Sequence, residues 1–358
     1  MFHTKASAPR GVRAGNNTVG AVNRLVSFRI ERVLSEDQAR GWHAIEEVAI
    51  PADHPGLLAD PLQEILAMLP EGVPSFRAEF YLGYDGYAVV ANGSVFLPML
   101  DNLHMSHISV TVPPALRRQG FGRQMFAALR ERIRGIGRET IVGSTGGPFG
   151  SVVPGERFAR AVGAQLAQSQ LRSELRFDSL DRRLLEDLLL DAQSHASDYE
   201  IVQWVDHAPE AVIDDWAILI GRMALDAPMG DLDWRAEHWD ASRCREWEDE
   251  TINRGRMRLV TGARHRSSHR LVACTDIGVP QTRTNIAYQW DTIVVPEHRG
   301  HRLGILVKIL NLDALERNVD GVESVQTWNA ADNTFMLAVN RAMGFEPVEE
   351  YAAWQMTA

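Results

Sequence analysis

Ser106-His-Ile-Ser-Val-Thr-Val-Pro-Pro114-Ala-Leu-Arg117-Arg118-Gln119-Gly120-Phe121-Gly122, running on as an apolar-periodic segment to about residue 134, decides how this chain is read. A β-branched strand, a Pro, a tight basic loop and a helix follow one another. The pattern recurs in Tyr288-Gln-Trp-Asp-Thr-Ile-Val-Val-Pro296-Glu-His-Arg299-Gly300-His301-Arg302-Leu303-Gly304. The copies keep one offset of 182 residues (117 to 299, 122 to 304). A helix start leaves backbone N–H groups without partners and carries partial positive charge, so a phosphate there satisfies both. Small residues let the backbone approach the ligand. One such match is weak; two at one offset point to a duplicated module that holds a diphosphate. The sequence has no Gly-x-x-x-x-Gly-Lys-Ser/Thr. Nor does it have Gly-x-Gly-x-x-Gly in a βαβ unit, so the loop is not a nucleotide fingerprint.

The chain has 358 residues, more than one core usually supports, so two domains are expected. Its 45% hydrophobic and 23% charged residues are those of an ordinary globular protein. Cys244 and Cys274 are the only cysteines, which excludes a disulfide framework and a Cys-based metal site. No metal is expected. The sequence has no apolar run of membrane-spanning length and no secretory h-region near its start, so a reducing cytoplasm is expected. A formal net charge of −10 argues against broad nucleic-acid binding and permits a cationic substrate.

Residues 1–26 read as a flexible arm, 27–192 as a first domain, 193–198 as a polar linker and 199–358 as a second domain. In the first, strands are expected at 28–33, 77–84, 87–91, 94–97 and 140–144. Asp85-Gly86 and Asn92-Gly93 are taken as hairpin turns, and 146–150 as a Gly-rich loop. Helices are expected at 36–49, 61–68 and 181–192, and after the first loop, with Phe121, Met125, Leu129 and Ile133 as its buried stripe. In the second, strands are expected at 199–205, 256–261, 270–276, 324–327 and 351–356, with Leu303, Leu306 and Leu310 lining the loop's helix. The hairpins argue against a doubly wound parallel sheet.

Val112-x-Pro114-x-x-Arg117-x-x-Gly120-x-Gly122 resembles the acetyl-CoA signature of the GCN5-related N-acetyltransferases (GNATs). Val294-x-Pro296-x-x-Arg299-x-x-Arg302-x-Gly304 is similar, with Arg302 where the family usually has Gly or Ala. Asn329 to Phe345 resembles the family's later loop and helix, and Gly155 to Ala164 is a worn version of it. The resemblance covers nearly the whole chain, as in double-domain relatives of the mycothiol synthase type. It implies an α/β fold of α+β type: two tandem acyl-CoA N-acyltransferase domains, each a mixed, mostly antiparallel sheet of seven strands flanked by helices.

The resemblance also implies which residues act. Acetyl-CoA would be held by Arg117, Arg118, Gln119, Gly120, Phe121 and Gly122, and by Arg299, Gly300, His301, Arg302, Leu303 and Gly304. Val110, Thr111 and Val112, and Thr292, Ile293 and Val294, would pair with the pantetheine arm. The organising strand would bulge and turn the N–H of Val294 or Val295 toward the thioester. Asn333 matches a cofactor-contacting Asn, or simply caps a helix. The family's base position, eleven before the loop Arg, holds Tyr288 and Ser106. Tyr288 is the catalytic candidate, as a proton relay through water, with a packed core role as the alternative. The acid position, usually Tyr, holds Asn340 and Ala159. Asp291 reads as a salt-bridged structural carboxylate, and His104 and His107 as solvated or core histidines. Asp226, Asp231 and Asp233 would attract an ammonium, or be merely solvated.

The expected activity is acetyl transfer to a primary amine of a small molecule, with chemistry in the second domain. The alternatives are an acyl-CoA-binding scaffold or sensor without turnover, and an aminoacyl-tRNA-dependent transferase, against which the acidic charge counts. The expected partner is a small-molecule amine, with no nucleic acid and no membrane; a homodimer is left open.

Overall fold

The computed structural model describes residues 28–69 and 74–358; the arm expected at 1–26 lies outside them. The first half runs β1 (Phe28–Arg32), α1 (Glu36–Asp53), α2 (Leu62–Met68), β2 (Phe76–Asp85), β3 (Ala88–Pro98), β4 (Met105–Thr111), α3 (Phe121–Gly135), β5 (Thr140–Pro148), α4 (Pro154–Ala161), β6 (Gln165–Arg176) and α5 (Arg182–Ser194). The second runs β7 (Tyr199–Val205), α6 (Ile213–Asp226), α7 (Ala241–Asn253), β8 (Arg256–His265), β9 (Leu271–Pro280), β10 (Ile286–Val294), α8 (Leu303–Asn318), β11 (Ser324–Ala330), α9 (Thr334–Ala342) and β12 (Glu346–Thr357).

All twelve strands form one sheet, ordered β1-β2-β3-β4-β5-β12-β6-β11-β10-β9-β8-β7. The sheet is mixed and mostly antiparallel; only β4–β5 and β10–β11 pair in parallel. Seven strands per half were expected. Among the described residues each half contributes six, and the halves exchange the last ones. β12 lies between β5 and β6, and β6 lies between β12 and β11. No turn signal in the sequence encodes this, because the exchange is a matter of pairing and not of strand formation.

Ser35 caps α1 by accepting from the Gln38 N–H. The predicted stripe of α3 is buried: Phe121, Met125, Leu129 and Ile133 pack on Val90, Val95 and Leu97 of β3. In α8, Leu303 and Leu306 are buried and Leu310 is half-buried. That helix is apolar almost all round because α5 covers its outer side through Leu185, Leu188 and Leu189.

Three local readings need correction. Asn92-Gly93 is not a turn but lies within β3. The Asn92 amide donates to Trp42 O (3.0 Å) and Glu46 (2.8 Å), while a Cβ at Gly93 would lie 2.8 Å from Leu129. The pair is there to let α1 and α3 come close, not to reverse the chain. Gly146 and Gly147 are not a loop but belong to β5, opposite Tyr351 and Glu350. α5 runs through Ser194, so the connection between the halves is shorter than the linker expected at 193–198. α4 falls where the worn loop-and-helix motif at 155–164 implies a helix, whereas the sequence reading contains neither β6 nor α7, whose polar composition hides their packing faces.

The two parallel pairings are short. β4 and β5 pair over 105–107 and 140–142, and β10 and β11 over 286–288 and 324–326. Beyond these residues the two strands of each pair no longer bond to each other, while each keeps its antiparallel neighbour on the other side, which leaves a wedge in each half.

Candidate active site

At the mouth of each wedge stands one of the two basic loops, and their backbones match. A 3₁₀ turn (Pro114–Leu116; Pro296–His298) leads to the loop Arg. The Arg turns back on its strand, donating from Nε to Val112 O at 2.9 Å or to Val294 O at 3.1 Å. Left-handed residues follow at the same two positions: Arg118 (φ 66°) and Gly120 (φ 93°) in the first half, Gly300 (φ 89°) and Arg302 (φ 56°) in the second. Phe121 and Leu303 then open the helices, and neither helix has a side-chain cap. The first-turn N–H groups are therefore free to meet an anion, and the left-handed positions curve the backbone around it. This donor set fits a diphosphate.

The charges around the loops are arranged differently. Arg117 forms a two-pronged pair with Asp53 of α1 (2.7 and 2.6 Å), whereas Arg299 meets Asp226 at 3.3 Å. Arg302 pairs with Asp191 at 2.5 Å. Each loop Arg thus fastens the loop to its strand and to a neighbouring carboxylate. Arg118 and Gln119 remain exposed beside the first loop. His301 tilts against Tyr199 (5.5 Å), whose hydroxyl lies 2.9 Å from His298 Nδ1.

Only the second half has a bulged organising strand. β4 keeps register with β3 throughout, while β10 shifts against β9 between Gln289 and Thr292. Trp290 and Asp291 fill the bulge. It is braced from below: Asp276 accepts from the Asp291 N–H (2.9 Å), and the Gln289 side chain donates to Asp276 O (2.7 Å) and to Thr275 Oγ1 (2.9 Å). Thr292 Oγ1 lies 2.8 Å from Thr275 Oγ1. Val295 N–H bonds to Val272 O, so it is not the free donor. Antiparallel strands alternate, which turns the Val294 N–H away from β9, toward the wedge. Val110 and Thr111 at the end of β4, and Val112 just beyond it, form the corresponding edge, with Val110 and Val112 half-buried against the first core.

The buried charges under the bulge are strongly perturbed. Burial pushes the Asp276 carboxyl up to about 7, against the pull of Arg258. Arg258 is buried over the Trp247 ring (3.4 Å), and burial lowers its pKa. Burial also pushes the Asp291 carboxyl up, with Arg258 opposing and Glu237 adding to the rise. Among the described residues, the Asp291 carboxylate has no hydrogen-bond or ion-pair partner within contact distance. It faces a cavity between the halves. The reading of Asp291 as a salt-bridged structural group is therefore replaced: it is an unpaired carboxylate on a cavity wall. Sequence spacing gave no hint of this, because the opposite wall comes from the other half.

Tyr288 is the last β10 residue paired with β11 before the wedge opens. Its ring stacks on Trp328 (6.2 Å) beneath the Arg256 guanidinium (5.1 Å), and burial pushes the phenol up to about 12. Such a phenol is protonated at neutral pH, so it is suited to donate or relay a proton and not to abstract one. Ser106, its counterpart, donates to Thr140 O at 3.0 Å. Asn333 caps α9, accepting from the Met336 N–H at 3.1 Å, and Asn340 donates to Asn329 at 2.8 Å. His104 engages Asp233 (3.0 Å), and Asp226 is held by Arg222 and Arg299, so neither acid is free to attract an ammonium.

No family model and no curated protein matches the sequence. Solved structures do. A tandem GNAT protein from the clavulanic acid biosynthesis pathway, solved without acetyl-CoA, is 26% identical and superposes with a TM-score of 0.76, covering 92% of this chain and 98% of its own. A GCN5-related N-acetyltransferase from Sphaerobacter thermophilus is 15% identical with a TM-score of 0.62 over 92% and 95% of the two chains. A GCN5-related glucosamine N-acetyltransferase region of a fungal multi-domain β-N-acetylglucosaminidase reaches 0.61 at 13% identity, over 92% of this chain but 38% of that one. The chain has the fold of a tandem GNAT protein, and acyl transfer is the class of chemistry that this fold supports.

Proposed function

We propose that the chain is an acetyl-CoA-dependent N-acetyltransferase acting on a primary amine of a small molecule by direct attack, with its chemistry in the second half. One observation carries the choice of half. β10 is bulged, and its bulge sets an unpaired carboxylate, Asp291, on the wall of a cavity beside an open strand edge. β4 is not bulged. Acetyl-CoA supplies an activated acyl group. The loop from Arg299 to Gly304 would hold its diphosphate, with Leu303 and Gly304 N–H groups as donors. Thr292 to Val294 would pair with the arm, and the Val294 N–H would stabilise the carbonyl oxygen as it becomes anionic. Asp291 would take one proton from the bound ammonium, so that a neutral amine attacks the carbonyl carbon; as the nitrogen–carbon bond forms and the carbon–sulfur bond breaks, the nitrogen's second proton would pass to the departing thiolate. The thiolate leaves without a side-chain acid at position 340, and the buried Tyr288 phenol is a donor that water can link to it. A reducing cytoplasm goes with this reading; Cys244 and Cys274 are buried free thiols.

A second reading, a scaffold that binds acyl-CoA without turnover, is favoured by the two-pronged Arg117–Asp53 pair, which occupies the first loop's cation. Thiol release from acetyl-CoA, followed across a panel of primary amines, separates the two. Amine-dependent release is expected, and its absence with every amine alongside tight acetyl-CoA binding would favour the scaffold.

A further inference from the structure

The cavity that Asp291 faces measures about 670 Å³, the size of a small-molecule site. Both halves build it. Phe76, Phe96 and Pro98 come from the first; Trp234, Trp239 and Trp247 from the second. Met223 and Met229 complete an apolar wall.

Its charges can be accounted for individually. Arg243 is held by Asp101 (2.5 Å) and Glu237 (3.6 Å) and stacks on Trp239 (4.2 Å). Arg254 is held by Glu64 (3.1 Å) and Glu250 (3.7 Å). Glu237 also accepts from Trp239 Nε1 (2.9 Å), and Glu250 from Ser75 (2.9 Å). Four acids, two arginines and His107 line the space. Burial lowers the His107 pKa and keeps the ring neutral at pH 7, packed edge-on to Trp234 (5.7 Å), and every charged group but Asp291 already has a partner. What remains charged and unpaired is a single carboxylate on the wall of an aromatic box.

That arrangement selects by chemistry. One ammonium matches one free carboxylate, and tryptophan faces favour a cation and a flat ring. A polyamine would bring surplus ammonium groups against Arg243, Arg254 and apolar walls. An amino sugar would bury hydroxyls where few partners are free, at a cost of about 1–3 kcal/mol each. We infer that this cavity is an acceptor site shared by the two halves, and that its ligand is a primary amine on an aromatic or similarly flat apolar body, with its nitrogen toward Asp291. The ligand class rests on the acetyltransferase reading only for the word acceptor. It also gives the first half a role, as one wall of the second half's site.

The test uses the full chain without acetyl-CoA, titrated with 2-phenylethylamine, spermidine and glucosamine while tryptophan fluorescence is followed. Saturable quenching is expected with 2-phenylethylamine, at least tenfold tighter than with either polar amine. Asp291→Asn, nearly isosteric, should weaken it tenfold or more; Trp234→Leu, on a surface loop, should weaken it independently. Equal or tighter binding of spermidine or glucosamine overturns the inference, as does 2-phenylethylamine binding that neither variant changes. If polar amines are acetylated while 2-phenylethylamine does not bind, the inference falls and the acetyltransferase stands. If 2-phenylethylamine binds as expected but no amine releases thiol, the ligand class stands and the acetyltransferase falls.

Discussion

Asp291 carries the chemical weight of the second half. A base must be ionised to work, and burial holds this carboxyl above the ordinary 3.8. Activity should therefore rise with pH through an inflection above that value, and the rise should vanish in Asp291→Asn. The same substitution should lower kcat by about 10²–10⁴ and leave acetyl-CoA affinity unchanged; pH–rate profiles of the two proteins check this. A full rate in the variant would contradict it. The loops allow a second comparison. Gly120 and Arg302 hold equivalent left-handed positions at φ 93° and 56°. Such a position costs an L-residue roughly 1–2 kcal/mol, so Gly120→Ala should destabilise by about that much in urea unfolding. Arg302→Gly should not destabilise, since its exposed pair with Asp191 is worth little. The loop residues were legible in the sequence because the Arg-x-x-Gly-x-Gly pattern is local. The free carboxylate was not, because it is defined by what fails to reach it from the other half.

At the scale of elements, the exchanged strands β6 and β12 depend on a buried pair. Arg172 Nε donates to Glu349 at 3.1 Å, and His54 of the first half's α1–α2 loop meets the same carboxylate at 3.0 Å. Burial raises the Glu349 pKa, but the hydrogen bonds from His54 and Arg172 outweigh it and hold the carboxyl below 4.5. Its contribution is thus present above pH 4.5 and lost as pH falls through the folded-state value. Glu349→Gln leaves Arg172 without its counter-charge and should cost about 3–5 kcal/mol, with a shallower acid limb. Chemical denaturation between pH 3 and 7 checks both, and unchanged stability at pH 7 would contradict the assignment. Strands and helices of regular period, such as β7 and α3, were legible from their patterns. The bulge in β10 and the run of β3 through Asn92-Gly93 were not, because register and close helix packing leave no period in the sequence.

At the scale of the whole molecule, exchange makes the halves one sheet. Among the described residues, the first half's sheet lacks a link between β5 and β6 without β12, and the second half's lacks one between β11 and β12 without β6. Scanning calorimetry should therefore show one cooperative transition, and the separate segments 27–192 and 199–358 should not fold alone. Two resolved transitions would contradict this. The duplication was legible from the 182-residue offset and the mixed sheets from the family resemblance, while the crossing of the last strands belongs to topology that neither copy records.

The central claim is that loops opening α3 and α8 hold acetyl-CoA and that the second serves the chemistry. Calorimetric titration of acetyl-CoA into wild-type, Gly122→Val and Gly304→Val chains tests it most directly. A Cβ at Gly304 would lie 3.8 Å from Val294, an ordinary contact, so a larger side chain there should obstruct the ligand and not the fold. Saturable heat is expected in the wild type, with the second-half site lost in Gly304→Val and kept in Gly122→Val. No heat in the wild type, or the same heat in all three chains, would contradict the account.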